Sequence, residues 1–264
     1  MRRLTVVVLL LLVSGLVSAC GQTEAPPTPL PPTEAPTSEP TPTATHTPIP
    51  APSLTPVPRP RTVAENPADQ AYLRAANAVP DLSGIEFVVN GVAVASQLNY
   101  GRATDPSGIV AGEYTLVVRA MAQRGAEVAA PLIEQPLIVN GGSLLTLVLA
   151  GTTTEPLLLV YEDHDEPLDT AESRVSLINA VSAGTQVGLM KDGTLLNAPV
   201  GFGERSEAVI VGSGANVIEI GDAGLVLATH EAELRERRDY TLIFAGHGDD
   251  LDTLAVIALA RQVP

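Results

Sequence analysis

The residues able to do chemistry are few and scattered. Cys20 is the lone cysteine, so no intramolecular disulfide can form and its thiol must act by itself. Downstream of residue 65 the histidines are His164, His230 and His247. They hold unrelated positions, which gives no basis for a histidine-based metal or acid–base centre. His230 falls on an alternating row with Val226, Ala228, Ala232 and Leu234, the setting of a satisfied or edge histidine. Gly201-Phe202-Gly203, Gly212-Ser213-Gly214 and Gly246-His247-Gly248 lack the third glycine of a dinucleotide loop, and none lies in a βαβ pattern. There is no Gly-x-Ser-x-Gly elbow. No catalytic residue is assigned, and an enzyme is not expected. Two acidic clusters remain, Glu162-Asp163-His164-Asp165-Glu166 with Asp169, and Asp249-Asp250-Leu251-Asp252. Carboxylate-rich loops suit calcium, which makes Asp163, Asp165 and Asp169 the candidate metal ligands. Their spacing lacks the glycine of an EF-hand loop, and the competing reading is a solvated, self-repelling linker.

The cysteine draws its meaning from what precedes it. Arg2 and Arg3 are followed by an almost unbroken apolar run from Leu4 to Val17. As a helix this run spans about 21 Å, short of the roughly 30 Å hydrocarbon core, so it reads as a signal-peptide segment and not as a membrane span. It ends in Val17-Ser18-Ala19-Cys20-Gly21, which resembles the lipobox of bacterial lipoproteins. The resemblance implies a signal peptide over 1–19, diacylglycerol (palmitate-type) transfer to Cys20, and cleavage before it. The mature chain would then sit on the extracytoplasmic side of the cell membrane, held in the bilayer by its acyl chains.

Residues 20–66 are a different polymer. Fourteen of the chain's 23 prolines lie between Pro26 and Pro60, mixed with Thr, Ala, Ser and Glu. Proline donates no amide hydrogen bond and fixes φ, so neither helix nor sheet propagates, and the composition cannot bury a core. A disordered, extended tether is expected, reaching on the order of 100 Å.

Beyond Asp69 the sequence repeats. Asn77-Ala78-Val79 matches Asn179-Ala180-Val181, Asn90-Gly91 matches Asp192-Gly193, Tyr100-Gly101 matches Phe202-Gly203, and Ala111-Gly112 matches Ser213-Gly214, all at one shift of 102 residues. Leu145-Thr146-Leu147 and Ala150-Gly151 match Tyr240-Thr241-Leu242 and Ala245-Gly246 at a shift of 95, so copy one carries seven extra residues, placed in the Ala120 to Gln135 stretch. Each copy reads as strands. Ile85, Phe87 and Val89 alternate before Asn90-Gly91, a pair suited to the positive φ of a type I′ hairpin turn. Leu144 to Ala150 and Leu157 to Tyr161 are nearly all apolar, as strands buried on both faces should be. Leu225 to Arg238 is rich in helix formers, but its partner segment contains Pro131 and Pro136, which favours strand. The expected fold class is all-β, two tandem antiparallel β-sandwiches of immunoglobulin-like or transthyretin-like type, over 70–165 and 172–264.

The net charge of −15 repels phosphate backbones, which excludes nucleic acid as a partner. With no Trp, three Phe and five Tyr, and most of these at positions the repeat marks as core, an aromatic platform for sugars is not expected.

Copy one resembles the bacterial family called domain of unknown function 4397. The residues that carry the resemblance are Asn77-Ala78-Val79-Pro80-Asp81, Val88-Val89-Asn90-Gly91, Tyr100-Gly101 and Ala111-Gly112-Glu113-Tyr114-Thr115. Copy two keeps Asp192-Gly193, Phe202-Gly203 and Tyr240-Thr241 and lacks the Pro-Asp pair. The resemblance implies repeated cell-surface sandwich domains and supplies no activity, no cofactor and no site residues. The functional expectation is a non-catalytic binding, adhesive or structural module of the cell envelope, with other surface proteins or glycans as partners. A calcium-stiffened stalk and an unrecognised hydrolase are the alternatives.

Overall fold

The computed structural model describes residues 66–121, 129–163, 166–184, 186–222 and 224–263. All of these residues belong to one compact unit. Cys20 and the proline-rich tract lie outside them. Among the described residues there are strands, one 3-10 turn (Pro67–Asp69) and no α-helix. Copy one forms β1 (Gln70–Asn77), β2 (Ile85–Val89), β3 (Val92–Leu98), β4 (Arg102–Ala103), β5 (Ser107–Val110), β6 (Gly112–Ala120), β7 (Pro131–Val139), β8 (Leu144–Gly151) and β9 (Pro156–Glu162). Copy two forms β10 (Glu172–Ser182), β11 (Gly188–Lys191), β12 (Thr194–Leu195), β13 (Val209–Gly212), β14 (Gly214–Asp222), β15 (Leu225–Leu234), β16 (Arg238–His247) and β17 (Asp250–Gln262).

These strands make four sheets. The order is β3-β2-β6-β7 and β4-β1-β8-β9 in copy one, with β5 also on β1, and β13-β10-β16-β17 and β12-β11-β14-β15 in copy two. Strand periodicity explains how three apolar layers arise from four sheets. Along β1, Ala71, Leu73 and Ala75 face the first sandwich core with Phe87, Leu116 and Leu147, while Ala76 on the other side joins a second layer. That second layer packs the two copies together through Val148 and Ala150 of β8 against Ile178, Ala180, Ile243 and Ala245 of β10 and β16. Leu177, Leu189, Ile220 and Phe244 fill the core of copy two. Every residue of β8 is buried, as its nearly all-apolar run predicts. β9 does not follow its own run. Leu157 and Val160 are 44% and 40% exposed; they point to opposite faces of β9, which is the last strand of its sheet and has each face only partly covered.

Two expectations about strand type are settled. The segment with helix-forming composition is strand β15, and its counterpart β7 tolerates Pro131 and Pro136 because it is an outer edge strand. The antiparallel reading needs one correction in each copy. β1 pairs with β8, and β10 with β16, in parallel. A parallel pair needs a long crossover; in copy one it runs through β2, β3, β6 and β7 of the outer sheet, with β4 and β5 returning to β1 on the way, and in copy two through β11 to β15. The hairpin turns are as expected, with φ of 44° and 81° at Asn90 and Gly91, and 50° and 74° at Asp192 and Gly193. The extra length of copy one lies between β6 and β7, where residues 122–128 fall outside the described ones.

Candidate functional site

The repeated Asn motif proves to be architecture. Asn77 Nδ2 donates to the carbonyls of Leu82 (2.8 Å) and Leu98 (3.3 Å), and its Oδ1 accepts from Val79 N (3.0 Å). Asn179 does the same in copy two, donating to Val200 O at 3.0 Å and accepting from Val181 N at 3.2 Å. The Asn77 and Asn179 carbonyls accept from Gly101 N and Gly203 N, which ties the two repeated signatures of each copy together. Buried backbone groups need such partners, so these residues recur for folding and not for chemistry.

At the end of the interface where β1 and β10 begin, a buried polar cluster joins the copies. The side chain of Asp163 is only 2% exposed. Arg74 Nη2 donates to its Oδ2 at 2.7 Å, Thr146 Oγ1 to the same oxygen at 3.0 Å, and Arg205 Nη1 to Oδ1 at 3.3 Å. Burial pulls the Arg74 guanidinium below its ordinary value, Asp163 opposes this, and nearby Arg205 adds to it. Arg205 also reaches Ser176 and Thr241. Arg174 lies 3.7 Å from Asp239 and 3.6 Å from Glu166. Arg74 is Ser176 in the other copy, and Arg205 is Ala103, so copy one brings its arginine from β1 and copy two from the segment between β12 and β13.

Of the candidate calcium ligands, Asp163 thus spends both oxygens on arginines. Asp165 lies outside the described residues, and exposed Asp169 accepts at its carbonyl from Glu172 N at 3.3 Å. The solvated-linker reading fails for Asp163 because two guanidiniums replace its water. Among the described residues no group of three or more His, Cys, Asp and Glu is placed to hold a metal ion.

Two tyrosines of copy one fasten the interface sides. Tyr100 donates to Thr253 O of β17, and Tyr161 to Gly203 O at 3.0 Å. Burial pushes both phenols up to about 12. Gly203 is the counterpart of Gly101, and β17 is the counterpart of β9. Each copy therefore offers its own version of the same surface, an approximately two-fold pairing within one chain. His230, half-buried on edge strand β15, is held below its usual value by burial.

The opposite end carries a cleft of about 650 Å³. All four strands of the parallel pairs run toward it. Gly151 ends β8 and Thr152 follows it, Ser182 ends β10 and Ala183 follows it, His247 ends β16, and Asp81 follows β1. Glu155, Phe202, Asp249 and Asp250 complete the wall. His247 Nδ1 lies 2.6 Å from Ser182 Oγ, and its Nε2 lies 3.4 Å from Asp81 Oδ2 in the other copy. Sequence reading does not join these three. Ser182 and His247 stand where copy one has Pro80 and Thr152, so a departure from the repeat at equivalent strand ends was the available signal. Their types suit nucleophile activation, but the geometry differs from such a relay. Ser182 is 7% exposed, and the N–H of Gly248 is spent on the Ser182 carbonyl at 2.8 Å, which removes it as an oxyanion donor.

Residues 71–187 match the family model Domain of unknown function (DUF4397). The matched DUF4397 segment takes in copy one and continues through β10. It contains the Asn77 and Asn179 motifs and three of the four inner strands that meet between the copies, β1, β8 and β10, and ends before β16. No curated protein matches the chain. A crystal structure titled as a "putative cell adhesion protein" from Bacteroides ovatus aligns over 73% of this chain and 98% of its own, at 9% identity and a TM-score of 0.22. A superposition that loose carries neither fold nor function across.

Proposed function

We propose that this chain is an envelope lipoprotein, acylated at Cys20, whose two sandwiches form one non-catalytic binding head on the extracytoplasmic side. The observation that carries the reading is the placement of the cleft. The chain enters β1 at Gln70, and the cleft opens past the far end of that eight-residue strand, about 26 Å away at the usual strand rise. A head tethered through its N-terminus would present this cleft outward. The leader and the thiol that ends it support the anchoring, and the proline-rich tract supports the reach. The DUF4397 match is compatible with a surface module. The buried interface makes the head stiff without a metal, so the calcium-stiffened stalk has less support. A hydrolase has less still, given the buried Ser182 hydroxyl.

The test is metabolic labelling with a clickable fatty acid, comparing wild type with Cys20→Ala, together with protease shaving of intact cells. Wild type takes the label and is shaved; Cys20→Ala takes no label. An unlabelled wild-type chain that keeps residues 1–19 overturns the proposal.

A further inference from the structure

We infer that the cleft at the carboxyl ends of β1, β8, β10 and β16 is a carbohydrate subsite for a neutral glycan, with Phe202 as its stacking platform; this rests on the head being a binding module. The repeat makes Phe202 the counterpart of Tyr100, yet the two rings part ways. Tyr100 is half-buried and hydrogen-bonded into the interface, whereas Phe202 is 38% exposed and lines the cleft. Sugar rings offer a face of C–H groups that packs on an aromatic face, and a rim of hydroxyls that needs acceptors. The cleft has both complements. Asp81, Glu155, Asp249 and Asp250 line the same cleft and bring carboxylate acceptors to it, and Thr152 adds a hydroxyl. Its volume of about 650 Å³ falls within the roughly 300–1,000 Å³ of small-ligand clefts. The same carboxylates, in a chain of net charge −15, repel uronic and sialic acids, which leaves uncharged sugars as the matching class. Copy one contributes Asp81, Thr152 and Glu155 and copy two the rest, so the subsite exists only when the copies are packed together.

The experiment is isothermal titration of the purified full-length chain, in a zwitterionic detergent, with cellohexaose, maltohexaose, xylohexaose and chitohexaose, and with hexalysine as the cationic competitor. At least one hexasaccharide binds saturably, Phe202→Ala weakens it by about tenfold or more, and Phe202→Trp retains it. Phe202 is 38% exposed, so Phe202→Trp keeps the wild-type melting temperature while Phe202→Ala lowers it modestly, and all titrations are run well below both transitions. Three results overturn the inference: no heat from any sugar at millimolar concentration, sugar binding untouched by Phe202→Ala, or binding of hexalysine alone. Failure here is distinct from failure of the anchoring reading. A labelled, surface-exposed chain that binds no sugar sinks only the subsite, and an acyl-free chain that binds sugar sinks only the anchor.

Discussion

Asp163 shows how far a residue's surroundings can depart from its neighbours in sequence. It sits in the most acidic run of the chain, yet its carboxylate is among the most buried, between Arg74 and Arg205. Removing one partner of a buried ion pair leaves the other charge uncompensated, which typically costs about 3–5 kcal/mol. Asp163→Ala is accordingly expected to lose stability on that scale in urea titrations, while Asp169→Ala, at an exposed site, is expected to stay within about 0.5 kcal/mol of wild type. The tyrosines set an alkaline limit. Folding raises the Tyr100 and Tyr161 pKa values to about 12 from an unfolded value of about 10. The folded state holds these protons more tightly, so their contribution is whole below about pH 10 and is lost as pH climbs toward 12. Melting temperature measured between pH 9 and 12 is expected to fall, and to fall less steeply in the Tyr100→Phe, Tyr161→Phe double variant.

At the scale of elements, the strands were legible where one local rule sufficed. Alternation at Ile85, Phe87 and Val89 gave β2, and Asn90-Gly91 gave its turn. The prolines of β7 gave strand over helix for that segment and, through the repeat, for β15. What the alternation could not supply was the partner of each strand. The parallel pairing of β1 with β8 depends on residues some seventy positions apart, and no short-range pattern encodes that register. The half-exposure of β9 was hidden for the same reason, since being last in a sheet is a property of the sheet. A sharper local demand falls at the bulge in β14. A Cβ on Gly221 would stand 1.9 Å from the Leu225 carbonyl oxygen. Gly221→Ala must push β15 aside, at a cost of about 1–3 kcal/mol. The measurement is denaturant unfolding, with faster amide hydrogen exchange expected along β15.

At the scale of the molecule, the two sandwiches pack their inner sheets against each other. Ile178, Ile243, Val148 and Ala150 are fully buried between copies, so separating the sandwiches would expose apolar surface at about 25 cal/mol per Å². A single calorimetric transition is expected for the head. Ala245→Glu forces a charge into this dry layer and is expected to split the transition in two, with loss of the cleft between copies. Ile243→Ala, which removes volume without charge, should lower stability by about 2–5 kcal/mol and keep one transition. Two transitions in the wild-type chain would show that the copies fold independently. The charge cluster also explains why the copies differ. With one arginine on β1 of copy one and another after β12 of copy two, each meeting Asp163, the unlike pairing is favoured over either like pairing.

The sequence by itself determined the apolar run before the lone thiol, the duplication, the strands and their turns, because each follows from composition, spacing or backbone preferences within a few residues. The tertiary structure alone decided that the copies pack face to face, that Asp163 is buried, and that Asp81, Ser182, Phe202 and His247 meet in one cleft. Those facts depend on which sheet faces lose water together, and residues 81 and 247 become neighbours only once four strands from both copies end at the same place.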